Sequence, residues 1–274
     1  MTGRMASQAD TPPRRASPVA VAVEWVGSLV LEGVRTFFGV LALAGSVGRW
    51  MIRPPFRVEN LFAQFDFVGV GSVLIVALTG LFTGMVFATQ SWSAFERFGA
   101  ESLVGPTVAI TITRELAPVL SALMITMRAG SATCTELGTM RVTEQVDALE
   151  TMAVSPVQYL LVPRILAGVL MGPLLAMLFD TAGVFGGFAI AVLVKGLSVG
   201  TFVLRTQDIV GPDDVVEGLV KAAVFGLAVM LIACHHGYYA SGGAKGVGQA
   251  TTRAMVSSAV SVFILDYFLG LLFH

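Results

Sequence analysis

FVGVGSVLIVALTGLFTGMVFATQSWSAF, Phe67 to Phe95, runs for 29 residues without an Asp, Glu, Lys or Arg. As a helix rising about 1.5 Å per residue, it is more than long enough to cross the roughly 30 Å hydrocarbon core of a bilayer. The whole chain agrees with that reading. Its 274 residues are 55% hydrophobic and 13% charged, with a mean hydropathy of +0.80. Soluble domains carry about 25% charged residues. A disordered or solvating chain is excluded, and a water-soluble enzyme is disfavoured. Lys and Arg (17) nearly balance Asp and Glu (18), so no basic surface for nucleic acid is expected. Two cysteines, Cys134 and Cys234, are too few for a disulfide framework or a metal cluster.

Four further spans are expected after the first, which is placed at 67–90. The second, 102–127, joins two short uncharged runs across Arg114-Glu115. The third, 165–194, contains Asp180; the fourth, 215–234, contains Lys221; the fifth, 254–273, contains Asp266. The fold class is therefore an all-α polytopic membrane protein. Residues 1–18 lack the apolar core of a signal peptide and are expected to form a disordered cytoplasmic tail. Residues 19–57 are less decided. Their longest uncharged run, Thr36 to Gly48, is 13 residues, and basic residues flank it. An amphipathic helix lying in the inner interface fits both facts, and a spanning helix is the other reading. Seven arginines between Arg4 and Arg57, with Arg128, Arg141, Arg164, Lys245 and Arg253, lie on one side; an acid-rich loop with Asp208, Asp213, Asp214 and Glu217 lies on the other. That bias puts the N-terminus in the cytoplasm and the C-terminus outside.

Two constellations could carry function. Arg128 to Pro156 is a polar insertion between spans two and three. Thr133 and Glu136 have capping-box spacing, and Val142, Val146 and Leu149 form a narrow apolar stripe among Arg141, Glu144, Asp147 and Glu150. A helix there suits docking to a partner; a solvated loop helix is the bland alternative. The second constellation is the set of charges inside the spans, each costing roughly 2.5–3.5 kcal/mol at a helix centre unless it faces a cavity or partner. Arg114 and Glu115 point about 100° apart, and Pro118 leaves the Arg114 carbonyl without its helical donor. Lys221 is the obvious counter-charge for Glu115. A polar site on a transport path and a satisfied interhelical ion pair are both open. Asp180 and Asp266 are read as capping or bonding a neighbouring helix. Gly80-x-x-x-Gly84 and Gly168-x-x-x-Gly172 are read as helix-packing contacts. Cys234-His235-His236 does not have the convergent geometry of a metal site. No GxxxxGK[ST], HExxH or GxSxG occurs, so any ATP hydrolysis belongs to another subunit.

The text Thr79-Gly-Leu-Phe-Thr-Gly-Met-Val, Arg114-Glu-Leu-Ala-Pro-Val, Arg128-Ala-Gly-Ser-Ala, Glu136-Leu-Gly-Thr-Met-Arg-Val-Thr-Glu-Gln, Met152-Ala-Val-Ser-Pro, Pro163-Arg and Ala250-Thr-Thr-Arg resembles the MlaE (YrbE) family of ABC-transporter permeases. The resemblance covers roughly residues 60–274. It implies an N-terminal interfacial helix and five spans per subunit, a homodimer in the inner membrane, and a five-span permease domain over 58–274. It also implies a coupling helix at about 133–151. Glu136, Leu137, Gly138, Met140, Arg141, Thr143, Glu144 and Gln145 would meet a cytoplasmic ABC ATPase dimer, which holds the ATP and magnesium. A periplasmic MCE-domain hexamer, and in some systems a STAS-domain protein, would complete an assembly that moves phospholipid-like lipids and helps maintain outer-membrane asymmetry. Glu115 and Lys221, with Arg114, match the family's intramembrane charges and would lie on the substrate path or gate. The rival class is an autonomous secondary transporter or channel that relays protons through those charges, and it predicts activity without an ATPase.

Overall fold

The computed structural model describes residues 18–51 and 58–273; the expected tail, but for its last residue, lies outside the described residues. Among them there is no strand. The chain forms two compact units, one up to Ala42 and one from Leu43 onward. The first holds the beginning of helix α1 (Pro18–Met51), which exposes Leu31, Val34, Phe38 and Leu41 at the spacing of one helical stripe.

The second unit contains five helical stretches long and apolar enough to cross a membrane: Val58–Phe98, Glu101–Val142, Val157–Val194, Pro212–Tyr238 and Gly243–Phe273. The number expected from sequence holds, but the helices overrun the expected limits. A charge stops the apolar run without stopping the backbone ladder, so the helices continue past the hydrocarbon.

Span one is two helices, α2 (Val58–Val68) and α3 (Val73–Phe95), joined by the 3-10 turn Val70–Ser72. Arg128 fills the break from span two. Its Nη1 donates to the Phe67 carbonyl at 2.5 Å and to Ser72 Oγ at 3.1 Å, and its guanidinium lies 5.4 Å from the Phe67 ring. A carbonyl freed at the end of α2 is thus satisfied by a side chain rather than by lipid, which could not do so.

Span two is α4 (Val104–Thr111), α5 (Ala117–Ile125) and α6 (Ser131–Val142), joined by π-turns at Ile112–Leu116 and Thr126–Gly130. The first π-turn sits where Pro118 removes a helical donor, and it takes up the bend. The capping-box reading of Thr133 and Glu136 is corrected here: α6 continues span two, so its amides are already bonded and Thr133 is buried without capping anything. Nor is there one helix over 133–151. The backbone turns at Glu144, whose φ is +61°, and a separate helix α7 (Gln145–Thr151) follows.

Span three is built on α8 (Val162–Phe188). A short helix α9 (Val199–Ile209), capped by Ser198 Oγ accepting from the Thr201 amide at 3.1 Å, occupies the connection that sequence left as a loop. Spans four and five are α10 (Pro212–Tyr238) and α11 (Gly243–Phe273). Glycines set the packing. A Cβ on Gly84 would meet the Gly183 carbonyl, and one on Gly80 would come within 2.8 Å of the Phe179 carbonyl, so spans one and three touch backbone to backbone. Gly168 and Gly172 likewise rest on the Gly226 and Ala222 carbonyls of span four, at 2.7 Å from an added Cβ. Both Gly-x-x-x-Gly pairs are packing contacts, as read from sequence.

Candidate functional site

The π-turn of span two turns Arg114 and Glu115 toward span four at different heights. Arg114 binds Asp214 through Nη2, and its Nε lies 3.8 Å from Glu217 Oε2. Glu115 accepts from Lys221 Nζ at 2.8 Å. Lys221 also meets Glu217 at 3.0 Å, one turn earlier on α10, and stands 4.0 Å from Asp266 of span five. Its third donor goes to the Arg114 carbonyl at 3.2 Å, the acceptor that Pro118 had freed. Gly218 makes the approach possible, because a Cβ there would strike the Thr113 carbonyl.

Burial divides the cluster into a floor and a mouth. The side chains of Lys221, Asp214 and Glu217 are 0%, 6% and 7% exposed, whereas those of Arg114 and Glu115 are 33% and 43% exposed. Two cations thus face four carboxyls, and the side left open is the Arg114–Glu115 edge. Hydrocarbon will not accept that edge, so it belongs to a wet cavity or a second protein surface. Glu115 and Lys221 are therefore brought together as the sequence suggested. Asp214 and Glu217 were missed, having been assigned to the outer acidic loop. Their signal was present: residues 214, 217 and 221 share one helical face. Asp214 has a second duty, accepting the Gly211 amide at 2.7 Å and so capping α10.

The remaining intramembrane carboxylate is Asp180 of span three, whose Oδ1 is buried without a hydrogen-bond partner among the described residues. It lines a cavity of about 520 Å³ between span three and α9, walled by Phe185, Phe188 and Phe202. The His235 ring packs against Tyr239 and His236, with ring centroids 5.0 and 5.6 Å away, and Cys134 and Cys234 are both buried free thiols.

At the other end of the spans lies the α6–α7 segment. Leu137 and Gly138 are buried, and an added Cβ on Gly138 would come within 3.1 Å of Val247, so these two shape α6 rather than face a partner. Met140 and Arg141 are half-buried. Glu136 is more than half exposed and pairs with the buried Arg164 at 2.8 Å. Thr143, Glu144 and Gln145 are exposed, and so are Asp147, Ala148, Glu150 and Thr151, which extend the outward face along α7. The exposed residues thus run from Thr135, Glu136 and Thr139 on α6 into α7, with Leu137 and Gly138 turned inward. Val146, fully buried, anchors α7 from beneath.

Known proteins with matching sequences place this geometry. The profile of the family described as Permease MlaE matches residues 61–272. A probable ABC transporter permease protein of Rickettsia bellii is 42% identical over 236 residues, 86% of this chain and 90% of that protein. The intermembrane phospholipid transport system permease protein MlaE of Haemophilus influenzae is 39% identical over 232 residues, 84% and 88% of the two chains. Protein TRIGALACTOSYLDIACYLGLYCEROL 1, chloroplastic, of Arabidopsis thaliana is 35% identical over 231 residues, 84% of this chain and 66% of that one. With five apolar helices, a family profile spanning most of its length and relatives above 30% identity, the chain is a multi-pass membrane protein that belongs to the MlaE family of ABC transporter permeases.

Proposed function

We propose that this chain is the permease subunit of an ATP-driven lipid transporter in the inner membrane, moving phospholipid-like lipids between that membrane and a periplasmic MCE-domain protein and so helping to maintain outer-membrane lipid asymmetry. The observation that carries it is the pairing of two separated features. An open-sided charge cluster lies within the membrane spans, and an exposed polar segment, Thr143 to Thr151, lies at their far end. The first suits a zwitterionic or anionic headgroup, with Arg114 able to engage phosphate in a fork and the carboxyls able to engage an ammonium. The second suits the groove of a cytoplasmic ABC ATPase dimer, which supplies ATP, magnesium and the hydrolysis for which this chain has no phosphate-binding loop.

In this reading two copies of the chain enclose an outward-open cavity onto which both Arg114–Glu115 edges face. Closure of the ATPase dimer pushes on α6–α7, the spans shift, and lipid passes between the cavity and the MCE hexamer. A STAS-domain protein bound to the ATPase is an optional fourth component. The stripe Leu31, Val34, Phe38 and Leu41 supports placing α1 along the inner interface, and the arginine distribution supports a cytoplasmic N-terminus and a periplasmic C-terminus.

The test is co-purification and transport. Wild-type permease is expected to co-purify with an ABC ATPase and to transfer fluorescent phospholipid between vesicles only with ATP. Ala148→Trp, on the exposed face of α7, is expected to abolish co-purification while leaving thermal unfolding of the permease unchanged. Transfer driven by an ion gradient in vesicles that contain the permease alone would overturn the proposal in favour of an autonomous transporter.

A further inference from the structure

The docking segment and the charge cluster stand at opposite ends of the same helices, and those helices differ in continuity. Span two carries a π-turn at Thr126–Gly130 between its docking end and its charged residues, and Arg114 and Glu115 sit in another. A helix interrupted in this way can absorb a push by adjusting its wide turns. Span four has no such interruption. From Lys221 to Tyr238 α10 is one uninterrupted α-helix, about 25 Å at 1.5 Å per residue.

The docking end of α10 is gripped from both sides of the Glu144 turn. The Arg141 guanidinium, in the last turn of α6, lies 5.8 Å from the Tyr238 ring centroid. The same guanidinium holds Asp147 of α7 at 2.5 Å. Tyr238 Oη completes the ring of contacts to Glu150 of α7 at 3.4 Å. Span five is also continuous, but its hydrogen bond to this region, Thr251 to Thr135 at 2.9 Å, reaches α6 on one side of the turn. Tyr238 thus joins three elements, and it does so on the helix that bears Lys221.

We propose that Tyr238 is a positioning residue for transport: it clamps α6 and α7 to the end of span four, so that displacement of the docking segment becomes displacement of Lys221 and its carboxylate partners. The proposal rests on the reading of α6–α7 as the ATPase-docking segment. It assigns the transmission to span four rather than to span two, the span from which the docking segment itself continues. The ring, more than the hydroxyl, carries the clamp, because it is the face on which Arg141 rests while Arg141 keeps hold of Asp147.

The experiment uses the permease in complex with the ATPase that co-purifies with it, in vesicles of phosphatidylethanolamine and phosphatidylglycerol. An environment-sensitive fluorophore on Val216→Cys reports the outer end of α10, where Val216 is 57% exposed and the native cysteines are buried. With wild-type Tyr238, ATP is expected to shift the emission. Tyr238→Leu is expected to lose that shift and lipid transfer, while the complex forms and hydrolyses ATP as wild type does. Tyr238→Phe, which keeps the ring, is expected to retain both. A wild-type shift and transfer rate in Tyr238→Leu would overturn the proposal. Loss of assembly or hydrolysis in Tyr238→Leu would overturn it too, by making the contact part of docking itself. If no ATPase co-purifies with the wild-type chain, it is the docking reading that fails, before Tyr238 is reached.

Discussion

Replacing Lys221 by Met keeps an unbranched chain, one atom shorter, and removes its charge, which makes it the sharpest probe of the cluster. In the native chain the ammonium is fully buried and has oxygen atoms of Glu115, Glu217 and the Arg114 carbonyl at 2.8, 3.0 and 3.2 Å. After substitution Glu217, 7% exposed, keeps only the more distant Arg114 contact at 3.8 Å, beside the like charges of Asp214 and Asp266. Removing one partner of such a buried set costs about 3–5 kcal/mol, because the remaining charge is left desolvated and unpaired. Glu115 adds little, since at 43% exposure its carboxylate regains solvent and its share is about 0–1 kcal/mol. Thermal unfolding in lipid nanodiscs, followed by tryptophan fluorescence, is expected to move down by about 10 °C, at a few degrees per kcal/mol for a chain of this size. Glu115→Gln is expected to move it by no more than about 2 °C on the same scale. Adding Glu217→Gln to Lys221→Met removes the stranded charge and is expected to recover about half of the loss. The reasoning is refuted if Lys221→Met and Glu115→Gln destabilise equally, or if the double variant is as unstable as Lys221→Met alone.

Other expectations follow from the packing. Gly84→Ala forces spans one and three apart at the Gly183 carbonyl and is expected to cost about 1–3 kcal/mol, whereas Gly248→Ala, whose new methyl meets nothing within 4 Å beyond its own turn of helix, is expected to be neutral or to gain up to about 1 kcal/mol; unfolding curves of the pair check both. Arg128→Met removes the donor that serves both the Phe67 carbonyl and Ser72 Oγ, and a loss of about 1–3 kcal/mol is expected, with raised hydrogen exchange at Val68–Val73 as its local signature. Glu144→Gly relieves a left-handed backbone at a non-glycine residue and is expected to raise stability by about 1 kcal/mol, read from the same unfolding curves.

The sites at which sequence and structure part company share a cause. Thr133 and Glu136 have the spacing of a helix start, but a cap acts only where amides are free, and the helix behind them had not ended. Asp214 and Glu217 look like members of an acidic loop because the apolar run begins after them; helix α10 begins earlier, and Arg114 is waiting on the neighbouring span. Leu137 and Gly138 sit within a polar stretch, yet α10 covers the first at Gly237 and α11 the second at Val247, and no local pattern announces a cover that comes from so far along the chain.

The residues alone determined the all-helical membrane class, the number of spans, the charges stranded inside them and the family. Each of these follows from lengths, periods and motifs carried within a single stretch of chain, with the bilayer supplying the yardstick. Only the tertiary structure decided which charge meets which, which edge of the cluster stays open, and which part of the α6–α7 segment is exposed. Those depend on how far one helix is rotated and slid against another. Here backbone contacts at Gly84, Gly168, Gly172 and Gly218 set that register, and it places Lys221 between Glu115 and Glu217.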